Sequence, residues 1–273
     1  MTISNVSSLD DISKFSQGLE KAGIDPSELI RMFDAVMAQE GEKRNASPAA
    51  SAPAQGSASP AASVSAAAAP SATPVAAADK AAGTGENSVS ISNTSNHDEK
   101  IGEFLNGGST TAPVAEITLK PGETGKLSYA NGQGGFMAEA DSSGAYKPSA
   151  SRLEFYADAK GINNTDVSYI DGRNAAIQVS DGKGKSAGDT QNIASQAPSD
   201  IVSHDSGGNA TVTGWYDGSS SAMQAGGSFM EQKLGTGNAY IHPDDDQKRT
   251  QSANPMTMAQ DSSQNYTASF GDA

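Results

Sequence analysis

The sequence predicts a mainly β protein: an antiparallel sandwich or barrel-like body, preceded by a short helical hairpin and a disordered Ala/Pro/Ser linker. Three observations carry this. Through the middle of the chain, apolar residues alternate with polar ones in short runs, each closed by a Pro-Gly, Asn-Gly or Asp-Gly pair. An almost pure Ala, Pro and Ser stretch separates that middle from the N-terminus. The 273 residues are 36% hydrophobic and 5% aromatic, too little to pack the whole length into one core when an average globular chain reaches roughly 45–50% on a count that includes glycine.

Residues 1–45 read as a leader with two short amphipathic helices. The opening MTISNVSSLDD lacks a basic side chain and the continuous apolar run of a Sec signal, and its Ser/Thr/Asn-rich composition is that of an unfolded type III export leader. Ser8 and Asp11 form a capping pair, with Leu9, Ile12, Phe15 and Leu19 at helical spacing up to Gly23. Asp25-Pro26-Ser27-Glu28 starts a second helix, ended by Gly41. Its stripe is Leu29, Met32, Phe33, Val36 and Met37. So short a pair either closes on itself or docks on a partner, an export chaperone or a host protein.

From Ala46 the chain is Ala, Pro and Ser, with ASPAAS at 46–51 and again at 58–63. Prolines at 48, 53, 60, 70 and 74 break any alanine helix, and nothing apolar offsets the entropy of ordering. The polar residues 83–100 extend this linker, expected over 46–100. The body is expected over 101–243. Ile117 and Leu119 precede Lys120-Pro121-Gly122-Glu123, and Leu127 and Tyr129 precede Asn131-Gly132. Leu153, Phe155 and Ala157 share a face. Val167 and Tyr169 precede Asp171-Gly172, Ile177 and Val179 precede Asp181-Gly182, and Val212 precedes Trp215. Such turns suit tight hairpins. Residues 244–273, with Asp244-Asp245-Asp246 and many Ser and Gln, read as a flexible acidic tail.

Charge and composition narrow the function. With 18 basic against 32 acidic residues and a net charge of −14, the chain is unsuited to nucleic acid or to an anionic membrane, and no stretch of about 20 apolar residues suggests membrane insertion. Zero cysteines exclude disulfides, thiol catalysis and Cys-bound metal. Gly184-Lys185-Ser186 imitates the end of a P-loop, but the glycine needed five positions earlier is Val179. His97, His204 and His242 match no metal-ligand spacing. The motifs point to no metal, no cofactor and no catalytic constellation.

One segment is more specific. Arg152-Leu153-Glu154-Phe155, followed by Asp166-Val167-Ser168-Tyr169-Ile170-Asp171-Gly172-Arg173-Asn174, resembles thaumatin-like proteins over about 60 residues, including the preceding ITLKPGETGKLSYANGQGGF. The resemblance implies that Glu154, Asp166 and Asp171 line an acidic, β-glucan-linked cleft. The sequence departs from the family in lacking its arginine near Gly135, an assignable later aspartate and every framework cysteine.

The order of segments, with MTISNVSSLDDISKF, the ASPAAS-type repeats and the acidic cysteine-free body, resembles the AvrA (RipAA) avirulence effectors of plant-pathogenic Ralstonia. This resemblance implies type III delivery into plant cells, promotion of virulence and a hypersensitive response in resistant hosts. The effector would then be non-enzymatic, binding host proteins through the Leu29–Met37 stripe or the β surface around Trp215. A harpin-like apoplastic elicitor and a glycan-active β domain using Glu154, Asp166 and Asp171 are the alternatives.

Overall fold

The computed structural model describes residues 80–248 and 254–273. The leader, the expected helices with the stripe from Leu29 to Met37, and the repeats up to residue 79 lie outside the described residues. The described strands run, in chain order, β1 (Lys80–Gly83), β2 (Asn87–Asn93), β3 (Glu99–Leu105), β4 (Ala115–Leu119), β5 (Thr124–Tyr129), β6 (Gly134–Glu139), β7 (Arg152–Ala157) and β8 (Asn163–Ser168). Then follow β9 (Gly172–Arg173), β10 (Ala175–Ser180), β11 (Ser186–Gly188), β12 (Val202–His204), β13 (Ala210–Thr213), β14 (Thr257–Asp261) and β15 (Asn265–Asp272). Between β13 and β14 lie the helices α1 (Ser221–Leu234) and α2 (Asp245–Lys248).

The strands build a mainly β sandwich. A first six-stranded sheet has the order β1-β5-β2-β15-β10-β11 and a second the order β14-β8-β7-β6-β3-β4, while β12-β13-β9 form a small third sheet. Neither large sheet closes into a barrel. Strand pairing is mostly antiparallel, with two parallel exceptions, β1 beside β5 and β2 beside β15. Among the described residues, no helix is long and apolar enough to cross a membrane.

One core is shared by the two large sheets. Val89, Ile91, Leu127 and Phe270 from the first meet Leu153, Phe155 and Val167 from the second, and Tyr129 stacks on Phe155 with ring centroids 4.0 Å apart. Every alternating apolar residue read from the sequence between Ile117 and Val212 is buried, because strand side chains alternate between faces and one face of each sheet is the core. Each such large side chain contributes roughly 1.5–3 kcal/mol relative to leaving it in water.

The expected boundaries need three corrections. The linker was expected to reach residue 100, yet Lys80–Gly83 and Asn87–Asn93 are strands, and β2 alternates buried and half-buried along its length. Residues 254–273, expected in a flexible tail, belong to the body: β15 lies inside the first sheet between β2 and β10, with Tyr266, Ala268 and Phe270 pointing into the core. The body is not all strand, since α1 occupies 14 residues within it. Ser220 caps this helix by accepting from the Met223 amide at 3.2 Å. A Cβ at Gly226 would lie 2.0 Å from the Thr213 carbonyl oxygen, and one at Gly227 2.7 Å from the Trp215 ring. The two glycines let the helix lie on β13, and they also erase the helical signal from the sequence.

The turns also act differently from the hairpin reading. Pro121-Gly122 carries the chain from β4 in the second sheet to β5 in the first, and Asn131-Gly132 returns it to β6. Asp171-Gly172 leads from β8 into the third sheet. Asp181-Gly182 does close a hairpin, β10 with β11. There the Asp181 carboxylate accepts from the Lys183 and Lys185 amides at 2.7 and 2.9 Å, which makes the P-loop-like Gly184-Lys185-Ser186 an ordinary turn.

Because β15 is an interior strand, removing residues 265–273 should abolish the cooperative fold, and Phe270→Ala should cost about 3–5 kcal/mol. Circular dichroism of the truncation and urea denaturation of the point variant check this; unchanged stability in either would mean that the segment behaves as a tail.

Candidate functional site

The three carboxylates singled out by the thaumatin-like motif come together on the outer face of the second sheet. Leu153, Phe155 and Val167 point into the core, so the alternate residues Arg152, Glu154 and Asp166 must point away from it. Antiparallel pairing of β7 with β8 sets Glu154 directly opposite Asp166 and Arg152 opposite Ser168. On the far side of β8, Asp166 faces Thr257 of β14.

Arg152 places a cation beside these carboxylates. Its guanidinium pairs with the Asp171 carboxylate at 2.6 Å and lies 4.5 Å over the Phe136 ring. Phe136 stacks on Phe104 at 4.8 Å, and Tyr146 meets Phe104 edge-on at 5.0 Å. This second, smaller apolar cluster anchors Arg152 from below. Tyr156, on the same face two residues beyond Glu154, is 48% exposed.

The other wall comes from Tyr240, near the end of the expected body, and from Asp246 and Asn254 of the segment read as a tail. Tyr240 continues the sheet beside β8, its amide and carbonyl bonding to Val167 and Tyr169. Its hydroxyl donates to Asp246 at 3.1 Å, and the Asn254 amide donates to both Tyr240 and Asp246 at 2.7 Å. Asp246 adds a further negative charge acting on Asp166. Nothing in the spacing of Tyr240, Asp246 and Asn254 marks them in the sequence; β14 and β15 bring them to the site.

Glu154 and Asp166 stand directly opposite each other on paired strands, so that ionising one disfavours ionising the other. Burial, followed by repulsion from Glu154, raises Asp166 well above the usual aspartate range. Burial also raises Glu154, with Arg152 opposing. Asp171 is raised by burial and pulled back by Arg152. Each carboxyl therefore keeps its proton to a higher pH than an ordinary carboxylate does. Asp166 Oδ1 is buried without a hydrogen-bond partner. Such a face offers an O–H donor, several acceptors and a fixed cation within one surface, a set suited to a polar, hydroxyl-rich or amide-rich ligand.

The remaining sequence candidates separate. His204 is exposed on β12. His242 is buried, with Nδ1 3.3 Å from Asp245 and its ring against Trp215 at 4.6 Å. Trp215 follows β13 in a connection and is half-buried, with Gly227 of α1 against its ring. His97, read as a solvated loop residue, instead joins Glu99 and Glu139, with potential ligand atoms within 4.8 Å of one another.

No protein-family model matches the sequence, and no curated protein matches it. Among solved structures, the protein elicitor MoHrip2 from Magnaporthe oryzae is similar over 38% of this chain and 77% of its own, at 15% sequence identity and a TM-score of 0.29.

The electrostatics make a signed prediction. A carboxyl group held above its unfolded value stabilises the fold most at low pH, and that contribution is lost as pH rises from about 4 through the raised folded value. Asp166→Asn keeps the shape and removes the charge and most of the repulsion. It should therefore raise stability near neutrality by about 1–2 kcal/mol, the scale of one unsatisfied buried group. Its advantage over the parent should grow between pH 5 and pH 8. Urea denaturation at the two pH values measures this, and an equal or shrinking advantage contradicts the raised carboxyl.

Proposed function

We propose that this chain is a type III effector of the AvrA kind, acting inside plant cells as a binding protein, promoting virulence and triggering a hypersensitive response in resistant hosts. The observation that carries a binding role is the outer face of the second sheet. There Glu154, Asp166, Asp171 and Arg152 are concentrated in an arrangement that works against the stability of the fold, including a buried oxygen without a partner. Proteins hold such unfavourable groups where a ligand satisfies them. The delivery half of the proposal rests on the order of segments: the Ser-rich leader, the ASPAAS repeats and a β body with no cysteine. A body held by strand pairing and a shared apolar core needs no oxidising compartment to fold, which suits a reducing host cytosol.

A glycan-binding role for the same face is favoured by one observation, the exposed Tyr156 ring beside the carboxyl pair. An aromatic face flanked by hydrogen-bonding groups suits a sugar.

Transient expression inside leaf cells of a resistant host should cause localised death, while infiltrating purified protein between cells at matched levels should not. Death from infiltrated protein would support a harpin-like apoplastic elicitor in its place. Death from neither would remove the support for an AvrA-like role. Combining Glu154→Gln with Asp166→Asn should sharply reduce the response with the circular dichroism spectrum unchanged; full retention would place the binding surface elsewhere.

A further inference from the structure

A second group of acids, at the opposite edge of β3 and β6, is buried more deeply than the face just described. Glu99 opens β3 and is fully buried, and neither carboxylate oxygen has a hydrogen-bond partner. Ser95 lies close by, but its hydroxyl serves Asn93 Oδ1 at 2.8 Å and the His97 carbonyl at 3.0 Å. Glu139 closes β6 and is 4% exposed, with Oε1 2.8 Å from His97 Nε2 and Oε2 without a partner. Pairing of β3 with β6 puts Ile101 opposite Glu139, so Glu99, two residues earlier and on the same face, lies diagonal to it. Among the described residues, no lysine or arginine pairs with either glutamate; Lys100, next in sequence, turns to Glu116 at 3.0 Å.

His97 is held in place from behind. It sits in the connection between β2 and β3, where the Asn93 side chain donates to the His97 carbonyl at 2.8 Å and to the Leu119 carbonyl at 2.9 Å, tying the loop to the end of β4. Its second ring nitrogen, Nδ1, is buried without a hydrogen-bond partner and lies 3.4 Å from Asp272 Oδ1 of β15, within reach of a small adjustment of either side chain. Asn96 in turn donates to Asp272 Oδ2 at 3.2 Å. The side chain of His97 is 20% exposed, which leaves an entry from solvent.

We propose that His97 Nε2, Glu99 and Glu139 bind a divalent first-row transition ion such as zinc, with Asp272 orienting the imidazole through Nδ1. Three points of chemistry carry this. Glu99, Glu139 and Asp272 bring three carboxyl groups to a place where His97 can return at most one positive charge, and a dication takes the place of the protons that burial keeps on the glutamates and offsets the charge they then carry. One imidazole nitrogen and two carboxylates form a borderline N/O donor set, which suits zinc or manganese over the all-oxygen preference of calcium and magnesium and the sulfur preference of copper(I). A carboxylate on the far nitrogen of a ligating histidine is the usual outer support of such a site, fixing tautomer and ring orientation. The distances fit as well. Tetrahedral bonds of about 2.0–2.1 Å set ligand atoms about 3.3 Å apart, so the 2.8 Å contact between His97 and Glu139 has to open by only about 0.5 Å, while all three groups already lie within 4.8 Å.

The ion would tie four pieces of chain together at one end of the sandwich: the loop after β2, the start of β3, the end of β6 and, through Asp272, the end of β15. Since β3 and β6 belong to the second sheet and β2 and β15 to the first, the site acts as a clasp between sheets, stabilising the folded state in proportion to its occupancy. It is separate from the Glu154–Asp166 face and does not depend on what that face binds.

The test uses the full chain, stripped with chelator and dialysed. Zinc titrated by calorimetry, with bound metal counted by elemental analysis, should give one tight ion per chain and a rise in melting temperature. Glu99→Gln and His97→Asn should each weaken binding more than 100-fold, and Asp272→Asn, acting through the imidazole, about 10- to 100-fold. Glu99→Gln removes a buried charge and so should stay folded, which circular dichroism confirms. His204→Asn, an exposed histidine on β12, should bind as the parent does. Absence of a stoichiometric ion, undiminished binding by Glu99→Gln, or loss of binding in His204→Asn would each overturn the proposal.

Discussion

The parallel pairing of β15 with β2, from Asn265 beside Ser88 to Phe270 beside Asn93, is the contact on which the rest of this body depends. It joins the first long strand of the described chain to the last. It also places β15 between β2 and β10, so that neither half of the first sheet is continuous without it. The face that packs on the second sheet is complete only when Tyr266, Ala268 and Phe270 join Val89, Ile91 and Ile177. The cost is a loop closure across nearly the whole body. That cost grows only logarithmically with length, but it delays folding until distant segments meet. The same closure carries Asp272 toward His97, and both Tyr240 and β14 pair with β8.

Placement of acids is the second organising feature. The chain carries 14 more acidic than basic residues, and most surface carboxylates are solvated or spent on turn amides, as Asp141, Asp158, Asp181 and Asp205 are. A few are sequestered instead. Burial pushes Glu103 up to about 7 and Glu99 up to about 8, with Glu139 adding to the latter. A fold under selection for stability alone would not retain these groups, since each buried acceptor without a partner costs about 1–3 kcal/mol. Arg173 is also fully buried: its Nη2 donates to Asp189 at 2.9 Å and to the Gln191 carbonyl at 2.6 Å, and its guanidinium lies over the Tyr169 ring, while Nε and Nη1 have no partner; the pair fastens β9 to the residues beyond β11. The Arg173–Asp189 pair helps to hold the architecture, whereas both oxygens of Glu99 and one each of Glu139 and Asp166 are buried without a hydrogen-bond partner.

What the sequence determined by itself was local. Period-two alternation marked the strands holding Leu127, Leu153, Val167 and Ile177, because a strand with one face on the core must repeat every second residue. Turn glycines marked where strands end. The resemblance to thaumatin-like proteins located Glu154, Asp166 and Asp171, which two adjacent antiparallel strands and the connection after them keep close together. The tertiary structure decided what depends on partners distant in the chain. A Pro-Gly or Asn-Gly pair specifies a change of direction but not whether the next strand pairs with the last or crosses to the opposite sheet. Val89 with Ile91, and Tyr266 with Phe270, are short alternations set among Ser, Asn and Thr; they become strands because each supplies the other's hydrogen bonds. The glycines of α1 look like helix breakers until β13 needs to approach that closely. His97 and Glu99 stand forty residues from Glu139, a spacing that no metal motif encodes, and they meet because the pairing of β3 with β6 sets their distance where the linear sequence does not.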